Sequence, residues 1–119
     1  MPDEDNRSAG SDLALLLSHV SEECLRVDDE MRKIYLQGFT EDRDMLCQYL
    51  ELGVRETLLE WCHRAEGCLL LLESKEINQI METFHTAVST GDQSGIQHGA
   101  RDVLGMYDWL IATFGANGK

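Results

Sequence analysis

Apolar residues recur at alternating steps of four and three over most of this chain. The first series is Leu13, Leu17, Val20, Cys24, Val27, Met31 and Ile34. Two more are Val54, Leu58, Trp61, Ala65, Cys68, Leu72 and Ile96, Ala100, Val103, Tyr107, Leu110, Phe114. This period puts side chains on one face of an α-helix and fits no strand, so it predicts an all-α fold. The expected core includes Leu17, Val20, Val27, Met31, Leu58, Trp61, Phe84, Val103, Tyr107 and Leu110.

The spacing predicts four helices with short connections. They run over about 12–36, 41–72 or 41–73, 77–90, and from a cap at Asp92 or Ser94 to Gly115. Gly38 is expected to end the first helix, and Ser74 is expected to cap the third after a turn at 73–76. Short connections make neighbouring helices antiparallel, which favours an up-down-up-down antiparallel four-helix bundle. The alternative is an unbroken helix through 73–76, which would give an elongated coiled coil.

A shift of 50 residues aligns the two halves of the chain weakly. It pairs Thr40 with Thr90 and Asp42 with Asp92, a pattern that is compatible with two helical-hairpin repeats. The predicted organisation is a flexible acidic N-terminal tail over 1–11, a helical bundle domain over 12–115 and a frayed C-terminus over 116–119.

The charge of the chain is strongly negative. Twenty-two Asp and Glu face ten Lys and Arg among 119 residues, for a net charge of −12. Such a surface repels phosphate, which argues against direct binding to nucleic acid. No apolar run approaches the ~20 residues that span a bilayer, so no membrane insertion is expected. One alternative function follows from the same charge: an acidic nucleic-acid mimic that inhibits a nucleic-acid-binding protein.

The four cysteines indicate a reducing compartment. Cys24, Cys47, Cys62 and Cys68 follow an N-terminus that is acidic and polar, without the apolar segment of a secretory signal. We therefore expect free thiols and a cytoplasmic protein. No Cys-x-x-Cys motif is present, which argues against a redox pair or a common structural zinc site.

Sequence signatures of enzymes are missing. The chain has no glycine-rich phosphate loop, no Gly-x-Ser-x-Gly and no His-Glu-x-x-His. We therefore expect no enzyme, no catalytic residues and no cofactor.

One alternative is a di-metal carboxylate four-helix-bundle enzyme. Glu60 with His63 and Glu82 with His85 each form a Glu-x-x-His pair, as in such bundles, and a turn near residue 74 would place the two histidines at the same height. However, helical rotation directs Glu60 and His63 away from the apolar series. We therefore predict that the chain has no metal site.

Surplus apolar residues indicate an interaction surface. The predicted second helix carries Leu52, Leu59 and Leu70 away from its main apolar series, and Trp109 lies off the series of the last helix. Exposed apolar groups often mark protein interfaces, whereas a central helix would bury the extra leucines in the core. The acidic residues Glu56, Glu66 and Asp108 would favour a basic partner. We therefore expect a small cytosolic adaptor, chaperone or regulator that binds a protein partner or a second copy of itself.

The net charge also predicts a salt response. Repulsion between carboxylates should weaken as salt is added, so the melting temperature at pH 7 should rise from low to moderate sodium chloride. Differential scanning calorimetry would measure this. A melting temperature that stays flat or falls over the same range would show that local pairs of opposite charge dominate.

Overall fold

The computed structural model describes residues 12–116, and in that range every regular element is helical. The described residues form five α-helices: α1 (12–18), α2 (Asp29–Leu52), α3 (Arg55–Leu69), α4 (Lys75–Thr90) and α5 (Gln93–Ala116). Short 3₁₀ helices lie at Glu22–Leu25 and Leu70–Leu72. The predicted all-α class is confirmed. The tail predicted over 1–11 and the predicted frayed end at 117–119 lie outside the described residues, and Ala116 belongs to α5.

The predicted first helix over 12–36 is wrong, because two capping residues interrupt it. The Ser21 side chain accepts a hydrogen bond from the Glu23 amide, and Asp28 Oδ1 accepts one from the Met31 amide at 2.8 Å. Such side chains compete with the helix for backbone donors. The apolar series loses its register at this break. Leu17 and Val20 are buried, whereas Ile34 is exposed.

The predicted helix end at Gly38 is also wrong. The α2 helix continues through Gly38 for more than three further turns and ends at Gly53. Gly53 has φ +67°, and its N–H donates to the Tyr49 carbonyl at 3.0 Å. Glycine inside a helix costs only about 1 kcal/mol, which the burial of Phe39 and Leu46 on the same helix outweighs. The turn between α2 and α3 therefore lies at 53–54, and the predicted second helix over 41–73 is divided.

The proposed hairpin repeat fails for the same reason. Thr40 lies inside α2, where its hydroxyl donates to the Leu36 carbonyl at 2.8 Å, whereas Thr90 is the last residue of α4. The paired Thr-x-Asp motifs thus occupy different structural positions.

The turns around α4 agree with the prediction. Glu73 has φ +53°, and buried Ser74 caps α4 by accepting a hydrogen bond from the Ile77 amide at 3.3 Å. Gly91 ends α4 at φ +74°. The alternative of one unbroken helix through 73–76 is wrong.

Aromatic side chains occupy the centre of the core. Tyr107 of α5 lies edge-on to Phe39 of α2 and Trp61 of α3, each with a centroid separation of 6.0 Å. Trp61 also packs edge-on against Phe84 of α4 at 6.2 Å. Eight of the ten predicted core residues are buried; Val27 is half-buried and Met31 is 37% exposed. Both exceptions come from the interrupted first series.

The core contains one polar atom without a partner. The Tyr107 hydroxyl is buried and has no hydrogen-bond acceptor or donor among residues 12–116. Burial raises the pKa of this phenol well above its ordinary value, so the side chain stays neutral and acts as a large apolar group.

Small residues let helices approach closely at two points on α5. A Cβ atom on Gly99 would lie 3.0 Å from Phe84 Cδ1 of α4, and one on Gly105 would lie 2.7 Å from Leu13 Cδ2 of α1. These two glycines therefore allow α4 and α1 to pack closely against α5.

The two glycines of the α2 region make a matched test of the corrected helix boundary. Gly38→Ala should stabilise the protein by about 0.5–1 kcal/mol, because the added Cβ meets no described atom within 4 Å and alanine favours helix. Gly53→Ala should destabilise it by about 1–2 kcal/mol, because the left-handed backbone disfavours a Cβ. Urea denaturation of both variants would measure the signs. If Gly38→Ala destabilises the protein and Gly53→Ala stabilises it, the helix ends at Gly38.

Candidate functional site

The predicted interface residues do not form one surface. Leu52 is the last residue of α2, and Leu59 lies on α3, so the turn at Gly53 separates them. Leu59 and Trp109 are half-buried and pack against the core, whereas Leu52 and Leu70 are exposed. The single stripe expected on one long helix is therefore wrong. A role of these residues in binding stays a prediction.

Four of the seven large apolar residues that are exposed within residues 12–116 form two pairs at opposite ends of α3; the other three are Leu15, Met31 and Ile34. Leu52 (67% exposed) and Val54 (47%) flank Gly53 before α3, and Leu70 (58%) and Leu71 (67%) follow it. The 15 residues of α3 separate the pairs by about 22 Å at 1.5 Å per residue. A partner segment that covers both pairs at the same time must be at least about 22 Å long.

Gly53, which the first pair flanks in the chain, lines an apolar groove of about 120 Å³ between the α2–α3 turn and the α4–α5 turn. We name it the turn-end groove; it is lined by Leu50, Gly53, Arg55, Leu58, Val88, Gly91, Gln93 and Ile96. The Arg55 guanidinium donates to the carbonyl of Ser89, which ties the α2–α3 turn to α4. A dry cavity of about 150 Å³ holds benzene, so the turn-end groove has room for one aliphatic side chain.

The second pair lies beside a more polar surface. Leu71 and Glu73 face the segment around Ser21, Glu23 and Arg26 across a pocket. The Cys24 thiol lies 3.8 Å from the Glu73 carbonyl and donates to it. Charged groups in its walls make this pocket a poorer place for an apolar side chain than the turn-end groove.

A histidine cluster lies at the edge of the contact between α3 and α4. His63 and Glu66 are three residues apart on α3, so they share one side of that helix, and His85 faces them from α4. His85 Nδ1 lies 2.6 Å from Glu66 Oε1, and the two imidazole centroids are 4.9 Å apart with nearly perpendicular planes. One possible ligand atom from each of the three residues lies within 4.8 Å of the others.

The packing beneath this cluster fixes its geometry. Phe84, next to His85, and Trp61, two residues before His63, are fully buried and in edge-on contact. Their contact sets the register of α4 against α3. His63 is exposed, and Glu66 and His85 are half-buried, so all three side chains retain access to solvent.

The sequence-based expectation for these residues was partly right. His63 and His85 do meet across the α3–α4 contact, as the equal-height argument predicts. Glu60 and Glu82 are exposed and lie outside the cluster. Glu66 takes the carboxylate position, although the sequence indicated it only as part of an acidic rim. The His-x-x-Glu spacing of 63–66 is the signal that could have identified it.

The cysteines near this cluster differ in chemistry. Burial, and secondarily the Glu66 carboxylate, raise the pKa of the Cys62 thiol to about 12. Cys62 is therefore a neutral thiol at pH 7 and a poor nucleophile. Cys68, two turns from Cys62, is exposed, and all four cysteines are free.

Comparison with protein-family models, curated proteins and solved structures finds no significant match to this chain. Within residues 12–116, none of the helices combines the length and the apolar character that crossing a membrane requires.

The difference between the cysteines can be tested by alkylation. In native protein at pH 8, iodoacetamide should modify Cys62 at least about 100-fold more slowly than in urea-denatured protein, because the buried thiol rarely ionises. Peptide mass spectrometry would follow each cysteine separately, with exposed Cys68 as the internal control. Equal rates for Cys62 and Cys68 in native protein would contradict the burial argument.

Proposed function

We propose that this protein acts by protein–protein interaction, as an adaptor or regulator whose turn-end groove accepts an apolar side chain of a partner. The observation that carries the proposal is the groove itself, together with the exposed residues Leu52 and Val54 on either side of its lining residue Gly53. Covering the apolar surface of the groove and of Leu52 and Val54 with a partner is favourable, at roughly 25 cal/mol per Å² removed from water.

Charge defines the kind of partner. Exposed Glu51 precedes Leu52, exposed Glu56 follows Arg55, and exposed Asp92 follows Gly91 of the groove. The cationic residue of the lining, Arg55, has its guanidinium on the Ser89 carbonyl. The chain as a whole carries −12. The proposed occupant is therefore a peptide segment with one apolar side chain flanked by Lys or Arg, for which the acidic rim raises the association rate.

The proposed scaffold is an up-down-up-down antiparallel bundle of α2–α5. Its support is the packing of α2 on α3 and α5, of α3 on α4 and of α4 on α5, together with connections of a few residues. Two turns at one end of such a bundle form the groove. A cytoplasmic location fits four free cysteines, and this too is part of the proposal.

A peptide-display experiment tests the proposed function. A random 12-residue library would be selected on the wild-type protein and counter-selected on Leu52→Asp. We expect enriched peptides that combine an apolar residue with Lys or Arg, whose binding weakens at least tenfold in Leu52→Asp and falls with added salt.

Leu71→Asp is the matched control, because Leu71 and Leu52 have equal exposure at opposite ends of α3. Peptides that bind Leu71→Asp as tightly as wild type support the groove. Loss of binding in Leu71→Asp alone would place the interface at the other end of α3 and refute the groove as the binding site. Sedimentation of wild-type protein and Leu52→Asp covers the second-copy alternative: a dimer abolished only by Leu52→Asp would make the occupant another copy of this chain instead of a basic peptide.

A further inference from the structure

We propose that His63, Glu66 and His85 bind one divalent transition-metal ion of the zinc class. Two imidazoles and one carboxylate from two helices converge here, with a ligand atom of each within 4.8 Å of the others. This inference does not depend on the turn-end groove. It differs from the sequence-based prediction that the chain has no metal site.

The donor set matches the chemistry of zinc. Imidazole nitrogen suits Zn²⁺, Ni²⁺ and Cu²⁺, whereas Mg²⁺ and Ca²⁺ prefer sites made only of oxygen. Two histidines and one glutamate with an open fourth position are a known zinc arrangement, in which water occupies the open position. Here the open side faces solvent because His63 is exposed.

The geometry needs only side-chain movement. Zinc–nitrogen and zinc–oxygen bonds of about 2.0–2.1 Å around a tetrahedron place ligand atoms roughly 3.3 Å apart. Closing from 4.8 Å requires shifts of about 1.5 Å. The three side chains can make these shifts by rotation, since none of them is buried. The helices beneath them stay fixed by the contact between Trp61 and Phe84.

A hydrogen bond between Glu66 and His85 does not account for the position of His63. The contact between His85 Nδ1 and Glu66 Oε1 at 2.6 Å needs no second histidine, yet the His63 ring lies edge-on to His85 at 4.9 Å. The pair also leaves Nε2 of His85 available. Rotation of Glu66 Oε1 away from Nδ1 frees both side chains to bind the ion directly.

The surrounding charges favour a cation. The chain carries −12, which raises the local concentration of cations. Arg64 follows His63, but its guanidinium reaches the other way and contacts Met45 Sδ of α2 at 3.6 Å. Its positive charge therefore does not lie among the three ligands.

Isothermal titration calorimetry with zinc chloride on EDTA-treated, dialysed protein tests the site. We expect one site in wild type and at least tenfold weaker binding in His63→Ala, His85→Ala and Glu66→Gln. The matched controls are Glu60→Gln and Glu82→Gln, which remove carboxylates one turn away, and His98→Ala, which removes an exposed histidine of α5. These three should stay within twofold of wild type, as should Cys68→Ser. Magnesium chloride should not bind this site.

Thermal unfolding gives a second readout. Zinc should raise the melting temperature of wild type, because an ion held by α3 and α4 binds the folded state preferentially, and EDTA should reverse the rise. His63→Ala should lose this response while keeping the wild-type circular dichroism, since His63 is exposed.

Three results would overturn the proposal. The first is the absence of zinc binding, which leaves Glu66 and His85 as a hydrogen-bonded pair only. The second is binding that disappears in Cys68→Ser and persists in His63→Ala, which indicates thiol coordination. The third is an equal loss in Glu60→Gln, Glu82→Gln and Glu66→Gln, which assigns the ion to the two Glu-x-x-His pairs.

Discussion

Trp61 makes the contacts on which the packing of α3 depends. Its ring lies edge-on against Phe84 of α4 and Tyr107 of α5, and its indole Nε1 donates to the Asp42 carbonyl of α2 at 3.0 Å. One side chain thus connects α3 to three other helices and has its single donor satisfied. Aromatic pairs of this kind contribute about 0.5–1.5 kcal/mol beyond the area they bury. They also fix the rotation of α3, which decides what its flanking residues face.

The sequence predicted the second half of the fold better than the first, for a local reason. Around α4, a serine cap and glycine at a helix end agree with the apolar spacing, so every signal points to the same boundary. In α2 the signals conflict: Gly38 resembles a helix end, but the chain continues through it because Phe39 and Leu46 are buried on the same helix. Glycine marks a helix end only where the backbone turns left-handed, as at Gly53.

The histidine cluster shows a second limit of reasoning from one helix at a time. His63 points away from the apolar series of α3, which predicted exposure and no site. Beside a second helix, however, the residues that flank both apolar faces meet at the rim of the contact. His63 and Glu66 meet His85 in this way. The prediction that His63 and His85 lie at the same height considered both helices and was correct. The prediction from helical rotation considered only one helix and did not identify the cluster.

The groove and the cluster both include residues of α3 and α4. Leu58 of α3 and Val88 of α4 line the turn-end groove, five residues before His63 and three residues after His85. An ion held by both helices would restrict the relative motion of these two walls, and a groove held in its binding shape loses less entropy when a partner binds. Linkage then requires reciprocity: a partner that holds the walls together would tighten metal binding by the same factor. If the walls are already rigid because of Trp61 and Phe84, that factor is close to one and the two sites act independently.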